Sequence, residues 1–67
     1  MIQVIVNGAA QRFDAPLDVA RLLEQLSMAG KKVAVERNGE IVPRSRHGET
    51  RLAPGDRIEI VAAVGGG

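Results

Sequence analysis

Between Val19 and Leu26 four apolar side chains, Val19, Leu22, Leu23 and Leu26, recur at i, i+3, i+4 and i+7. On an α-helix that spacing gathers them into one stripe and leaves Arg21, Glu24 and Gln25 on the other side. A leucine stripe of this kind must be laid on one face of a sheet, so the chain folds as an α+β, two-layer domain. Asp18 stands where its carboxylate can accept from the free amides of the first turn. Gly30 suits the left-handed position after the last turn, and Lys31 and Lys32 complement the negative end of the helix dipole. The pattern predicts one helix of about three turns.

The sheet is written in β-branched runs around that helix. Ile2–Val6 reads as a first strand, and Asn7-Gly8 is a hairpin signal because both residues tolerate the positive φ of a type I′ turn. Ala10 to Phe13 then returns antiparallel, with Phe13 turned inward, and the pair ends at Asp14-Ala15-Pro16. Val33–Arg37 is a third strand, Asn38-Gly39 repeats the turn, and Glu40–Val42 is a short extended piece halted by Pro43. Arg44 to Gly48 reads as a polar loop and Glu49 to Leu52 as a short edge strand. After the Pro54-Gly55-Asp56 turn, Arg57–Val61 alternates polar and apolar as a half-buried strand does. The first and last strands are the most apolar and are expected side by side at the sheet centre.

Sixty-seven residues make one domain. A chain this short buries only ~60% of the surface it exposes when unfolded, so its stability margin is thin. It has no cysteine and one histidine, which excludes disulfides and Cys/His zinc sites, so the hydrophobic core has to hold the fold alone. Nine basic against eight acidic residues leave a net charge of +1, which is not the footprint of a nucleic-acid binder. No apolar run approaches the ~20 residues of a membrane span, and the N-terminus carries no signal-peptide pattern. The expected location is the cytoplasm.

No catalytic constellation emerges. Ser27, Ser45 and Thr50 lack a visible base, and His47, inside Arg44-Ser45-Arg46-His47-Gly48, reads as a solvated loop residue. Glu36 and Glu40 flank a turn as solvated charges, and Arg44 with Arg46 makes a small basic patch on an ordinary loop. What is left is Gly65-Gly66-Gly67. Chain ends fray and glycine frays most readily. Yet these glycines follow directly on an apolar strand, without the polar residues a flexible linker commonly carries. An extended run from Val64 to Gly67 spans roughly 10–14 Å and has no Cβ beyond Val64, so it can thread a channel that any side chain would block. Its carboxylate becomes reactive once an enzyme adenylates it with ATP.

A small strand–strand–helix–strand domain ending in glycines resembles the ubiquitin-like β-grasp proteins. Within them the chain is most similar to the ThiS family, the sulfur carriers of thiamin biosynthesis. The resemblance is carried by Val19-Ala20-Arg21-Leu22-Leu23-Glu24-Gln25-Leu26, Asn38-Gly39-Glu40-Ile41-Val42-Pro43-Arg44, Gly55-Asp56-Arg57-Ile58-Glu59-Ile60 and the glycines. It implies a mixed four- to five-stranded sheet on one helix, with residues 1–64 as the β-grasp domain and 65–67 as a flexible tail. It further implies a carrier rather than an enzyme. An adenylyltransferase of the ubiquitin-activating type (ThiF-like) would use ATP and Mg²⁺ to adenylate Gly67. A cysteine persulfide would supply the sulfur of a thiocarboxylate, and thiazole synthase (ThiG-like) would receive it. Gly66 maps to the required neighbour and Gly65 to extra slack, since the family minimum is Gly-Gly. If Ile58 and Ile60 face the helix, Val61 faces away and becomes a docking contact, with Ala63 and Val64 beside it. Three other readings remain open: the small subunit of molybdopterin synthase, a modifier forming isopeptide bonds with lysines, and a binding module with an inert tail.

Overall fold

The computed structural model describes residues 1–62. Five strands, β1 (Ile2–Val6), β2 (Ala9–Phe13), β3 (Val33–Arg37), β4 (Glu40–Val42) and β5 (Arg57–Ala62), form one mixed sheet in the order β2-β1-β5-β3-β4. One α-helix, α1 (Val19–Gln25), packs on it, and a short 3₁₀ turn covers Arg44–Arg46. β1 and β5 are parallel neighbours, and the other pairings are antiparallel. The two most apolar strands therefore lie together, and β5 is the central one.

Alternation on the strands and the helical stripe supply a single core. Ile2, Val4 and Val6 from β1, Val35 from β3, Val42 from β4 and Ile58 and Ile60 from β5 are buried against Val19, Leu22 and Leu23. Leu17 and Leu52 close it, and Phe13, Leu26, Met28 and Val33 pack at its margin. Both Asn-Gly pairs make the expected turns, with φ of 49° and 83° at Asn7 and Gly8 and of 52° and 86° at Asn38 and Gly39.

The helix is shorter than its periodicity predicts. It has seven residues, about two turns at 3.6 per turn, and the residue that leaves it in the left-handed conformation is Ser27 (φ 61°), not Gly30. The Ser27 amide donates to Glu24 O at 3.0 Å and the Met28 amide to Leu23 O at 2.7 Å, the paired bonds of a Schellman cap. Met28, packed at the core margin, ends the helix by hydrophobic contact before glycine chemistry is needed. Gly30 does have positive φ, but in the following turn, and Lys31 and Lys32 lie beyond the helix end rather than in its last turn. Ser27 carries the left-handed penalty of a residue with a Cβ. Ser27→Gly is therefore expected to stabilise the domain by about 0.5–1 kcal/mol, raising Tm in a thermal melt by roughly 3–6 °C.

A second departure lies at Glu49–Leu52, which is not an edge strand. Only Arg51 forms an isolated bridge, to Asp18. The segment's polar groups go to the helix entry instead. Thr50 O accepts from the Val19 amide at 3.0 Å, Leu17 O from the Leu52 amide at 2.9 Å, and His47 O from the Ala20 amide at 3.1 Å. Asp18 Oδ1 accepts from the Arg21 amide at 2.8 Å, as expected of the N-cap. The first three amides of α1 thus all find partners, two of them in the 44–52 segment.

Candidate functional site

β5 is the strand that leads toward the glycines, and its neighbours hold it along its length. β1 lies on one side, with the Ile5 amide donating to Asp56 O and the Asn7 amide to Ile58 O, each at 2.9 Å. β3 lies on the other, paired from Arg37↔Ile58 down to Val33↔Ala62. The two Asn-Gly turns add side-chain clamps. Asn7 offers its amide like a strand's own peptide unit, accepting from the Ile60 amide at 2.8 Å and donating to Ile60 O at 3.2 Å. Asn38 accepts from the Arg57 amide at 2.9 Å and its own backbone amide donates to Arg57 O at 2.7 Å. These asparagines read from sequence as turn residues only. Their long-range role was not legible because it depends on which strand the topology lays beside each turn.

The start of β5 is fixed by Asp56, also read from sequence as part of a turn. Pro54 and Gly55 (φ 87°) turn the chain, with the Asp56 amide donating to Ala53 O at 3.0 Å, and this sends the Asp56 carboxylate inward, where it is buried. Oδ2 accepts from Arg37 Nε and from the Ala53 amide, both at 2.8 Å, and Oδ1 accepts from Asn38 Nδ2 at 3.1 Å. Burial by itself pushes the Asp56 carboxyl up. The Ala53, Arg37 and Asn38 hydrogen bonds and the Arg37 charge outweigh it and hold the group below the ordinary carboxylate value.

Along β5, Ile58 and Ile60 turn to the helix while Arg57, Glu59 and Val61 are exposed. Val61 is 56% exposed, as the alternation predicts, and lies opposite the exposed Ala34 on β3. Ala63, Val64, Gly65, Gly66 and Gly67, the other residues singled out from sequence, lie outside the described residues. His47 corrects its expectation. It is 8% exposed, with Nε2 3.2 Å from Val42 O, a carbonyl that can only accept, so the ring nitrogen donates. The 3₁₀ turn at Arg44–Arg46 folds the polar run back onto β4 and draws the imidazole under it. Among the described residues, no group of three His, Asp or Glu side chains is arranged to hold a metal, and no helix is long and apolar enough to cross a membrane.

A five-stranded mixed sheet, one helix against it and a central last strand define the ubiquitin-like β-grasp class. The model of the ThiS family matches residues 4–67, and the chain belongs to that family. It is 48% identical over 46 residues to the sulfur carrier protein ThiS of Bacillus subtilis, covering 69% of this chain and 70% of that one. Its fold superposes on the crystal structure of the thiamine biosynthesis protein ThiS from Geobacter metallireducens with a TM-score of 0.85. That match has 35% identity and covers 98% of this chain and 100% of the other. The chain is also 44% identical over 66 residues to a thiazole synthase of Paramagnetospirillum magneticum. It spans only 20% of that protein's length, and likewise 20% of a thiazole synthase of Magnetococcus marinus.

Proposed function

We propose that the protein is a sulfur carrier of thiamin biosynthesis whose cargo site is the carboxyl group of Gly67. The observation that carries this reading is that, in a ThiS-family chain, the clamped central strand runs on in sequence to three glycines. A ubiquitin-activating-type adenylyltransferase uses ATP and Mg²⁺ to convert the carboxylate to an acyl adenylate, releasing pyrophosphate. The terminal sulfur of a cysteine persulfide displaces AMP. A thiol then breaks the sulfur–sulfur bond, leaving the thiocarboxylate on Gly67 and a disulfide on the donor side. Thiazole synthase is the sulfur acceptor, a reading supported by the likeness of this chain to a fifth of two proteins of that name. Apart from the Gly67 carboxylate, whose oxygen attacks the α-phosphorus of ATP, the chain contributes no acid, base or nucleophile to these steps. It acts as co-substrate, in the cytoplasm where ATP and thiols are available.

Intact-mass measurement tests the proposal. After incubation with the adenylyltransferase, ATP, Mg²⁺, a persulfide donor and a thiol, the chain gains the mass of one oxygen-to-sulfur exchange, confined to its last peptide. An unchanged mass with an enzyme active on its own carrier refutes it. Sulfur transfer to thiazole rather than to molybdopterin assigns the pathway, and lysine-linked conjugates would favour a protein modifier instead.

A further inference from the structure

A cavity of about 430 Å³ opens between α1 and the start of β3, beside the point where β5 ends its pairing. Its walls include Leu23 and His47, both buried, and its lining also carries Lys31, Lys32 and Arg44, all exposed. None of these three cations is paired with a carboxylate among the described residues. The one acidic residue lining the cavity, Glu24, already faces Arg21 at 3.5 Å.

The backbone is open at the same place. β4 pairs only with Val35, Glu36 and Arg37, and Pro43 then turns the chain away. Among the described residues Val33 and Ala34 have no strand neighbour on that side, whereas on the other side Val33 faces Ala62. An unpaired edge of this kind accepts an extended chain through main-chain hydrogen bonds. Lysines also blunt such edges against self-pairing. The charge that repels a second copy of this basic edge is the charge that selects an acidic strand.

We propose that this cavity docks an extended acidic segment of the adenylyltransferase that takes up the glycine tail, laid along the open edge of β3 with its carboxylates on Lys31, Lys32 and Arg44. The docked segment and the exit of β5 then flank Val33 at one strand spacing each, about 10 Å apart. One protein can grip both at once, so docking holds the tail at its entrance. The inference rests on the carrier reading above and names the surface by which the receiving enzyme recognises the body of the domain.

The test is steady-state adenylation by an adenylyltransferase that activates the wild-type chain, using the triple variant Lys31→Glu, Lys32→Glu, Arg44→Glu. All three side chains are exposed, so a thermal melt of the variant is expected to match wild type. KM for the chain rises about tenfold or more at low salt with kcat unchanged, and the difference shrinks as salt is raised. Arg12→Glu, on the far edge of the sheet, leaves KM at its wild-type value. An unaltered KM in the triple variant overturns the proposal, as does an equal rise in Arg12→Glu, which would mean that net charge alone matters. Saturable binding of inorganic phosphate in the cavity, read by amide shifts of residues 30–34 and 44–48, would reassign it to a small anion. If the wild-type chain is not adenylated at all, the carrier reading falls instead.

Discussion

Appending one alanine after Gly67 is expected to abolish adenylation while leaving Tm unchanged. The added residue moves the reacting carboxyl by about 3.3–3.6 Å along an extended chain and puts a methyl group where none stood. Adenylation needs the carboxylate oxygen in line with the α-phosphorus of ATP. A misplacement of about 1 Å already costs on the order of 10²-fold, so the loss here is at least that large. The folded body does not feel the change, since β5 is fixed upstream through Asn7, Asn38 and the pairing of Val33 with Ala62. Partner-dependent exchange of pyrophosphate into ATP measures the loss, and a circular-dichroism melt checks the fold. Activation at the wild-type rate would mean that the end is not received in a channel shaped for glycine.

The second large effect falls on stability. Asp56→Ala removes one carboxylate and leaves the Arg37 guanidinium, the Asn38 amide and the Ala53 N–H without their acceptor. Arg37 is about one-third exposed, at 34%, so water recovers part of its loss, whereas the carboxylate it paired with was 8% exposed. The expected cost is about 2–4 kcal/mol, or roughly 10–25 °C in Tm. For a domain of this size that is a large share of the whole stability. The pH dependence separates charge from packing. The folded carboxyl titrates below the ordinary 3.8. Its stabilising contribution is complete above that unfolded value and is lost as pH falls through the folded one. Wild type and Asp56→Asn should therefore differ most near neutral pH and converge in acid, in urea melts followed between pH 7 and pH 2. A gap that stays constant across that range would show that the carboxylate's charge is not what stabilises the fold.

The two predictions divide along what each part of the chain makes visible. The Asn-Gly turns, the Asp18 cap, the β-branched strands and the Leu22–Leu23 stripe are local features, set by backbone sterics and side-chain period, and the structure reproduces them. The helix end is not legible locally, because Gly30 is the stronger local stop signal. The packing of partly buried Met28 against the core made Ser27 the stopping point, and such packing is not local. His47 was hidden in the same way. A polar run of Arg, Ser and His reads as solvated until the 3₁₀ turn supplies the Val42 carbonyl for the ring.

The sequence alone was enough to establish a one-helix β-grasp domain, its central pair of apolar strands and the glycine run that β5 leads into. The helix, strands and turns follow from periodicity and turn chemistry within a few neighbouring residues, and the β-grasp class from the resemblance those motifs carry together. Only the tertiary structure decided that Asn7, Asn38 and Asp56 grip β5, and that Lys31, Lys32 and Arg44 gather beside its exit. Asn7 lies 53 residues from Ile60 and Asn38 lies 18 from Asp56, and such contacts exist only once the strand order β2-β1-β5-β3-β4 brings them together. Their chemistry is written in the residue types, but their partners are chosen by topology.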